Sequence, residues 1–188
     1  MSYTDKTLTF GSDKIYFTDN SFGGDFEVMM DWEDSLMSSS AAYVCEGGGD
    51  ILEIGFGMGI SAGYIQSHSI SSHTIIENHP QIISKAQEWA SGKSNVTIIN
   101  GSWYDVKDNL STYDGIFYDT YGDTNMNNFS SSLSNLTKTG TKATWWNINT
   151  NESNHYNIPN VSYQAINVNP PTNSYFNSSV YYLPKKQF

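Results

Sequence analysis

Apolar and β-branched residues come in short, bounded runs along this chain. DILEIG (50–55), HTIIEN (73–78), NVTIIN (95–100), DGIFYDT (114–120) and TKATWWNI (141–148) each have the length and composition of a strand. The segments between them, GISAGYIQSH, PQIISKAQEWA, WYDVKDNL and NMNNFSSSLSNL, have helical length, and Pro80 suits a helix's first turn. Strands alternating with helices at this spacing predict βαβ units in a parallel, doubly wound α/β sheet with right-handed crossovers. The carboxyl ends of the strands then share one rim, which is where such sheets receive ligands.

Both ends of the chain depart from that rhythm. VSYQAINV (161–168) and SYFNSSVYYL (174–183) read as strands joined through NPPTN, which predicts an antiparallel hairpin at a sheet edge. The result is a mostly parallel seven-stranded sheet, with the short polar NTNESNHYNIPN between its fifth and sixth strands, a connection that the family resemblance given below marks as shortened. LTFGSDKIYFTDNSFGG suggests short strands and turns, and DFEVMMDWEDSLMSSSAAYVC reads as a helix. The expected organisation is one domain over 1–188. It has a lid-like N-terminal segment (1–25), a helix (26–48), a core (49–150) and a C-terminal hairpin (160–188).

Charge narrows the partners. The 188 residues hold nine lysines, no arginine and nineteen acids, for a net charge of −10. A nucleic-acid binder that tracks phosphates needs a basic footprint, so that class is excluded. A small cationic partner suits the balance. The single cysteine, Cys45, permits no intramolecular disulfide, and His68, His73, His79 and His155 lack ligand spacing, so no metal site is expected. MSYTDKTLTF has no basic region followed by an apolar run, and no apolar stretch of about 18 residues exists. The expectation is a cytoplasmic protein without a membrane partner; its oligomeric state is open.

The candidate chemistry begins at DILEIGFGMGIS, 50–61. Gly55, Gly57 and Gly59 alternate with larger residues, and Glu53 lies two ahead of the first glycine. The G-x-G-x-x-G spacing of dinucleotide loops fails because Ile60 stands where the third glycine belongs, and no G-K-[ST] follows. An acid before G-x-G-x-G is similar instead to the first motif of Rossmann-like methyltransferases that use S-adenosylmethionine (SAM). Glu77, closing HTIIE, is placed to accept hydrogen bonds from two ribose hydroxyls. Asp119 stands at the end of the fourth predicted strand, between Tyr118 and Thr120, at the switch-point rim. The NPPT at 169–172 lacks the aromatic of the tetrad used by many amino-group methyltransferases and falls in the hairpin turn, so it reads as a turn.

VMMDWEDSLM (28–37), DILEIGFGMGIS, IIENHP (75–80), GSWYDV (101–106) and GIFYDTY (115–121) together resemble guanidinoacetate N-methyltransferase and its relative, the fungal protein arginine δ-N-methyltransferase. The resemblance runs from about residue 26 to 150 and resumes weakly at VNPPTNSYF. It implies that Glu33 and Asp119 hold and activate the guanidino group, with Asp119 taking the proton. It also implies that the cofactor contacts Met29, Met37, Glu53, Gly55, Phe56, Gly57, Met58, Gly59, Ile60, Ser61, Glu77, Asn78, His79 and Asp119. Ser102 and Trp103 would meet the adenine, and Ile148 and Asn149 would receive a substrate carboxylate.

Two carboxylates around a guanidinium make chemical sense. Its charge is delocalised and its nitrogens are poor nucleophiles. A pair of acids localises charge on one nitrogen, aims it and accepts a proton. Three functions follow: a SAM-dependent N-methyltransferase for a small guanidinoacetate-like or amino compound, the same chemistry on protein arginine, or SAM binding without transfer.

Overall fold

The computed structural model describes residues 2–21 and 23–188; Met1 and Phe22, both within the segment expected at 1–25, lie outside the described residues. The chain opens with β1 (Thr9–Phe10), β2 (Lys14–Asp19) and β3 (Gly24–Met30), which form a three-stranded antiparallel sheet. A 3₁₀ turn at Asp31–Glu33 leads into α1 (Asp34–Val44). The expected helix over 26–48 therefore starts eight residues late. DFEVMM is a strand: Met29 and Met30 are buried, Val28 packs partly buried on the core, and tertiary pairing with β2 overrides the helical pattern.

The main sheet is built from β4 (Asp50–Ile54), β5 (Ser72–Glu77), β6 (Val96–Asn100), β7 (Tyr113–Tyr118), β8 (Thr137–Trp145), β9 (Ser162–Asn167) and β10 (Val180–Gln187). Its helices are α2 (Ile60–Gln66), α3 (Pro80–Ala90), α4 (Trp103–Val106) and α5 (Phe129–Leu136). The strand order is β6-β5-β4-β7-β8-β10-β9, parallel from β6 to β8 and antiparallel through β10 and β9. The predicted seven-stranded sheet with its hairpin is present, and no helix separates β8 from β9. One detail differs. The last strand begins at Val180, not at 174, and it enters between β8 and β9. Residues 174–179 are held in a loop instead, because Ser174 bonds Glu27 and Asn173 caps Tyr175 and Phe176.

Alternation along the central strands sorts the core. Leu52, Ile54, Ile76, Ile116, Tyr118 and Trp145 meet α4 and α5 on one face. Ile51 and Phe117 meet α1 and α2 on the other, and Ile75 meets α3 and the N-terminal strands. Both faces are covered, so these strands read as unbroken apolar runs. Each such Ile or Leu contributes about 1.5–3 kcal/mol by leaving water. Among the described residues no helix is long and apolar enough to cross a membrane.

Candidate active site

Four backbone hydrogen bonds extend the sheet beyond its strand ends. Gly101 N–H donates to the Glu77 carbonyl (2.8 Å), and those of Gly55, Asp119 and Trp146 donate to Ile76, Ile54 and Tyr118 (2.9 Å each). Gly101, Glu77, Gly55, Asp119 and Trp146 consequently stand side by side on one rim. A cleft of about 900 Å³, counting the part open to solvent, runs along it.

The glycine loop forms the floor. Gly55 has φ +97°, and a β-carbon there would lie 1.8 Å from the Asp119 carbonyl oxygen, so only glycine fits. At Gly57 (φ +53°) a β-carbon would lie 2.5 Å from the Met29 sulfur. That sulfur accepts the Met58 N–H at 3.2 Å. Glu77 ties two loops together: one oxygen accepts the Phe56 N–H (2.9 Å), the other those of Asn78 (2.8 Å) and His79 (2.9 Å).

Glu33 and Asp119 occupy the other part of the cleft. One Glu33 oxygen accepts from Met30 N–H (2.9 Å) and from the Tyr175 hydroxyl (2.6 Å). Its second oxygen, and both oxygens of Asp119, take no donor among the described residues. Burial pushes both carboxyls well above the usual carboxylate range; the Asp119 charge adds to this at Glu33, and the Glu53 charge adds to it at Asp119. Trp146 and Tyr175 line the same part of the cleft. Behind them Trp32 stacks on Phe176, with centroids 5.6 Å apart and planes at 17°.

Of the residues expected at the site, Met29, Glu33, Gly55, Phe56, Gly57, Ser61, Glu77, Asn78, Trp103 and Asp119 line this cleft. The others are placed elsewhere. Glu53 is wholly buried and acts on the cleft through Ser61, whose hydroxyl donates to one of its oxygens. His73 Nε2 meets the other at 2.9 Å. The Gln66 amide nitrogen, a donor only, lies 3.3 Å from His73 Nδ1, so Nε2 carries the hydrogen toward Glu53. Met37 is core against Ala41, Val44 and Ile51, and Ile60 packs on the same cluster. Gly59 begins α2 in the left-handed region. The Met58 side chain faces a separate hollow with Lys85 and Trp89.

His79 and Ser102 are helix caps, accepting from Gln81 N–H and Tyr104 N–H (3.3 Å each). Trp103 is only 2% exposed, edge-on to Tyr118 and Phe129. Its indole N–H donates to Asp123 at 2.6 Å. Ile148 is 54% exposed. Asn149 donates its backbone N–H to Asn147 Oδ1 (3.1 Å) and its side-chain amide to Ser153 (3.1 Å). Neither Ile148 nor Asn149 lines the cleft.

Sequence reasoning missed Tyr3, Tyr121, Asp123, Trp146 and Tyr175, all of which line the cleft. Asp123 was within reach, four residues beyond Asp119. It gathers Trp103, Tyr118 (2.5 Å) and Asn125 N–H (2.7 Å). Tyr175 carries no local signal, since it arrives from a loop that reads as strand.

The fold matches solved structures. Spermidine synthase from Thermotoga maritima aligns with a TM-score of 0.63 at 10% identity, over 96% of this chain and 72% of that one. Precorrin-6y C5,15-methyltransferase from Geobacter metallireducens aligns with a TM-score of 0.61 at 10% identity, over 86% and 90%. Fold and rim together define the Rossmann-like class of SAM-dependent methyltransferases. The cleft suits that cofactor. It offers a carboxylate, Glu77, at the end of β5, close-packed loop backbone at Gly55–Gly57, and apolar walls at Ile76 and Ile82. Among the described residues it has no basic side chain for a pyrophosphate.

Within that class, the chain belongs to the guanidinoacetate N-methyltransferase family, whose sequence profile matches residues 22–144. Protein arginine N-methyltransferase 2 of Aspergillus oryzae is 37% identical over 128 residues, covering 64% of this chain and 30% of that protein. The Saccharomyces cerevisiae protein of the same name is 34% identical over 133 residues, covering 64% and 31%. This chain thus spans about a third of the length of these curated relatives.

Proposed function

We propose that this chain transfers a methyl group from SAM to a guanidino or amino nitrogen of a small cationic molecule. The observation that carries this reading is the meeting of Glu33 and Asp119 in the cleft that the glycine loop floors, with three of their four oxygens free of donors among the described residues. Bound SAM supplies an electrophilic methyl group. The chain's own residues supply the rest. The bond from the Tyr175 hydroxyl fixes one Glu33 oxygen and leaves the other for an acceptor N–H. Asp119 takes a second N–H, so charge concentrates on the nitrogen between them. Transfer would break the sulfonium–methyl bond and leave S-adenosylhomocysteine, and the proton given up by the methylated nitrogen would pass to Asp119, whose raised carboxyl suits a general base near neutral pH. Trp146 and Tyr175 flank the cation and exclude water.

Asp119→Asn should lower kcat by about 10²–10⁴-fold, with S-adenosylhomocysteine affinity within several-fold of the parent by calorimetry. Loss of cofactor affinity as well would move Asp119 from acceptor chemistry to cofactor binding. If the parent protein binds S-adenosylhomocysteine but methylates no guanidino or amino compound, the acceptor reading is wrong.

A second reading is methylation of arginine side chains in proteins. The names of the curated relatives favour it, and an arginine side chain presents the same guanidinium. An arginine-containing peptide in the same assay separates the two.

A further inference from the structure

We infer that the acceptor carries its guanidinium on an arm without a carboxylate, so that guanidino acids are poor substrates; this rests on the guanidino reading of Glu33 and Asp119. The charges of the cleft are of one sign. Its ionisable carboxylates are Glu33, Glu77, Asp119 and Asp123, and among the described residues no lysine lines it. The chain contains no arginine to enter it. Lys6 and Lys14, on the N-terminal segment that supplies Tyr3 to the cleft wall, are already paired with Asp19 (2.5 Å) and Glu27 (3.4 Å). A carboxylate brought beside Glu33 and Asp119 would meet like charge without a counter-ion.

After β8, two backbone donors that could stand in for a cation are already taken. After β8, where the family resemblance would put a substrate carboxylate, the Asn149 N–H is committed to the Asn147 side chain at 3.1 Å. The Asn147 N–H is committed to the Tyr181 hydroxyl at 2.7 Å. Ile148 between them is outside the cleft and exposed. The side chain that this stretch does present to the cleft is Trp146, and Tyr175 joins it. Two aromatic rings beside two acids suit a cation on an uncharged, apolar arm.

An isosteric pair tests this. Guanidinoacetate and guanidinoacetamide differ in a carboxylate against a primary amide and are nearly equal in size. Each is titrated into protein saturated with S-adenosylhomocysteine, and each is assayed for transfer of labelled methyl from SAM. The expected result is a preference for the amide of at least about tenfold in Kd and in kcat/KM. Equal or better use of guanidinoacetate would overturn the inference and leave the guanidino reading standing. If neither these two nor an alkylguanidine or a capped arginine binds or is methylated, the guanidino reading fails and the inference falls with it. Butylguanidine and a doubly capped arginine, run beside them, show whether a free alkylguanidine or a peptide-borne side chain is the preferred source of that chemistry.

Discussion

The cleft's two ends use carboxylates in opposite ways. At the end with the glycine loop, which we assign to the cofactor, Glu77 accepts three backbone N–H groups, and Glu53 accepts Ser61 and His73. These acids are wired into the loops and hold their shape. At the end we assign to the acceptor, Asp119 has no protein donor among the described residues, and Glu33 has donors on one oxygen alone. Burial raises both carboxyls toward the protonated form, helped by the Asp119 charge at Glu33 and by the Glu53 charge at Asp119. A satisfied acid builds a site, whereas an unsatisfied one waits for a cation or a proton.

If that contrast is right, the two ends should fail separately. Glu77→Ala should weaken S-adenosylhomocysteine binding by about 1–3 kcal/mol, through loss of a charged group's hydrogen bonds. Unchanged affinity by calorimetry would remove Glu77 from the cofactor site. Tyr175→Phe should act at the other end only. Without its hydroxyl, Glu33 loses a 2.6 Å bond, and the acceptor's KM should rise by about tenfold while cofactor affinity holds. A Tyr175→Phe protein that lost cofactor affinity instead would show that the two ends are one unit.

The smallest effect is on stability. Folding raises the Glu33 and Asp119 carboxyls, so the folded chain binds more protons than the unfolded one between the ordinary carboxylate range and their raised values. Stability should then fall as pH rises through that interval, and the pair should contribute no slope below it. Thermal melts of the parent against the Glu33→Gln, Asp119→Asn double variant would show it, with the variant losing most of the slope. Equal slopes would mean that the two carboxyls titrate normally.

Much of this was legible in the sequence. Unbroken apolar runs at 50–55, 73–78 and 114–120 could only be strands covered on both faces, and helices between them imposed a parallel sheet. Glycine alternation marked the loop, because only glycine permits φ +97° at Gly55 against the Asp119 carbonyl. Spacing from that loop pointed to Glu77 and Asp119.

Where the structure differs from the sequence reading, the reason is long-range pairing for DFEVMM and Tyr175 and hydrogen bonds two residues apart for Asn149, His79 and Ser102. DFEVMM has helical composition, yet it pairs with β2. Ile148 and Asn149 lie in the right stretch, but the Asn147 side chain claims the Asn149 N–H and turns both residues from the cleft. Glu53, His79 and Ser102 sit in the right motifs and serve as supports or caps. Tyr175 reaches Glu33 across 142 positions of chain. By itself the sequence determined the sheet's parallel core and marked the glycine loop and the two acids that line the cleft, since periodicity and backbone sterics are local. Only the tertiary structure decided which acids are wired and which are free, because a hydrogen-bond partner and a desolvated surrounding arrive from distant segments.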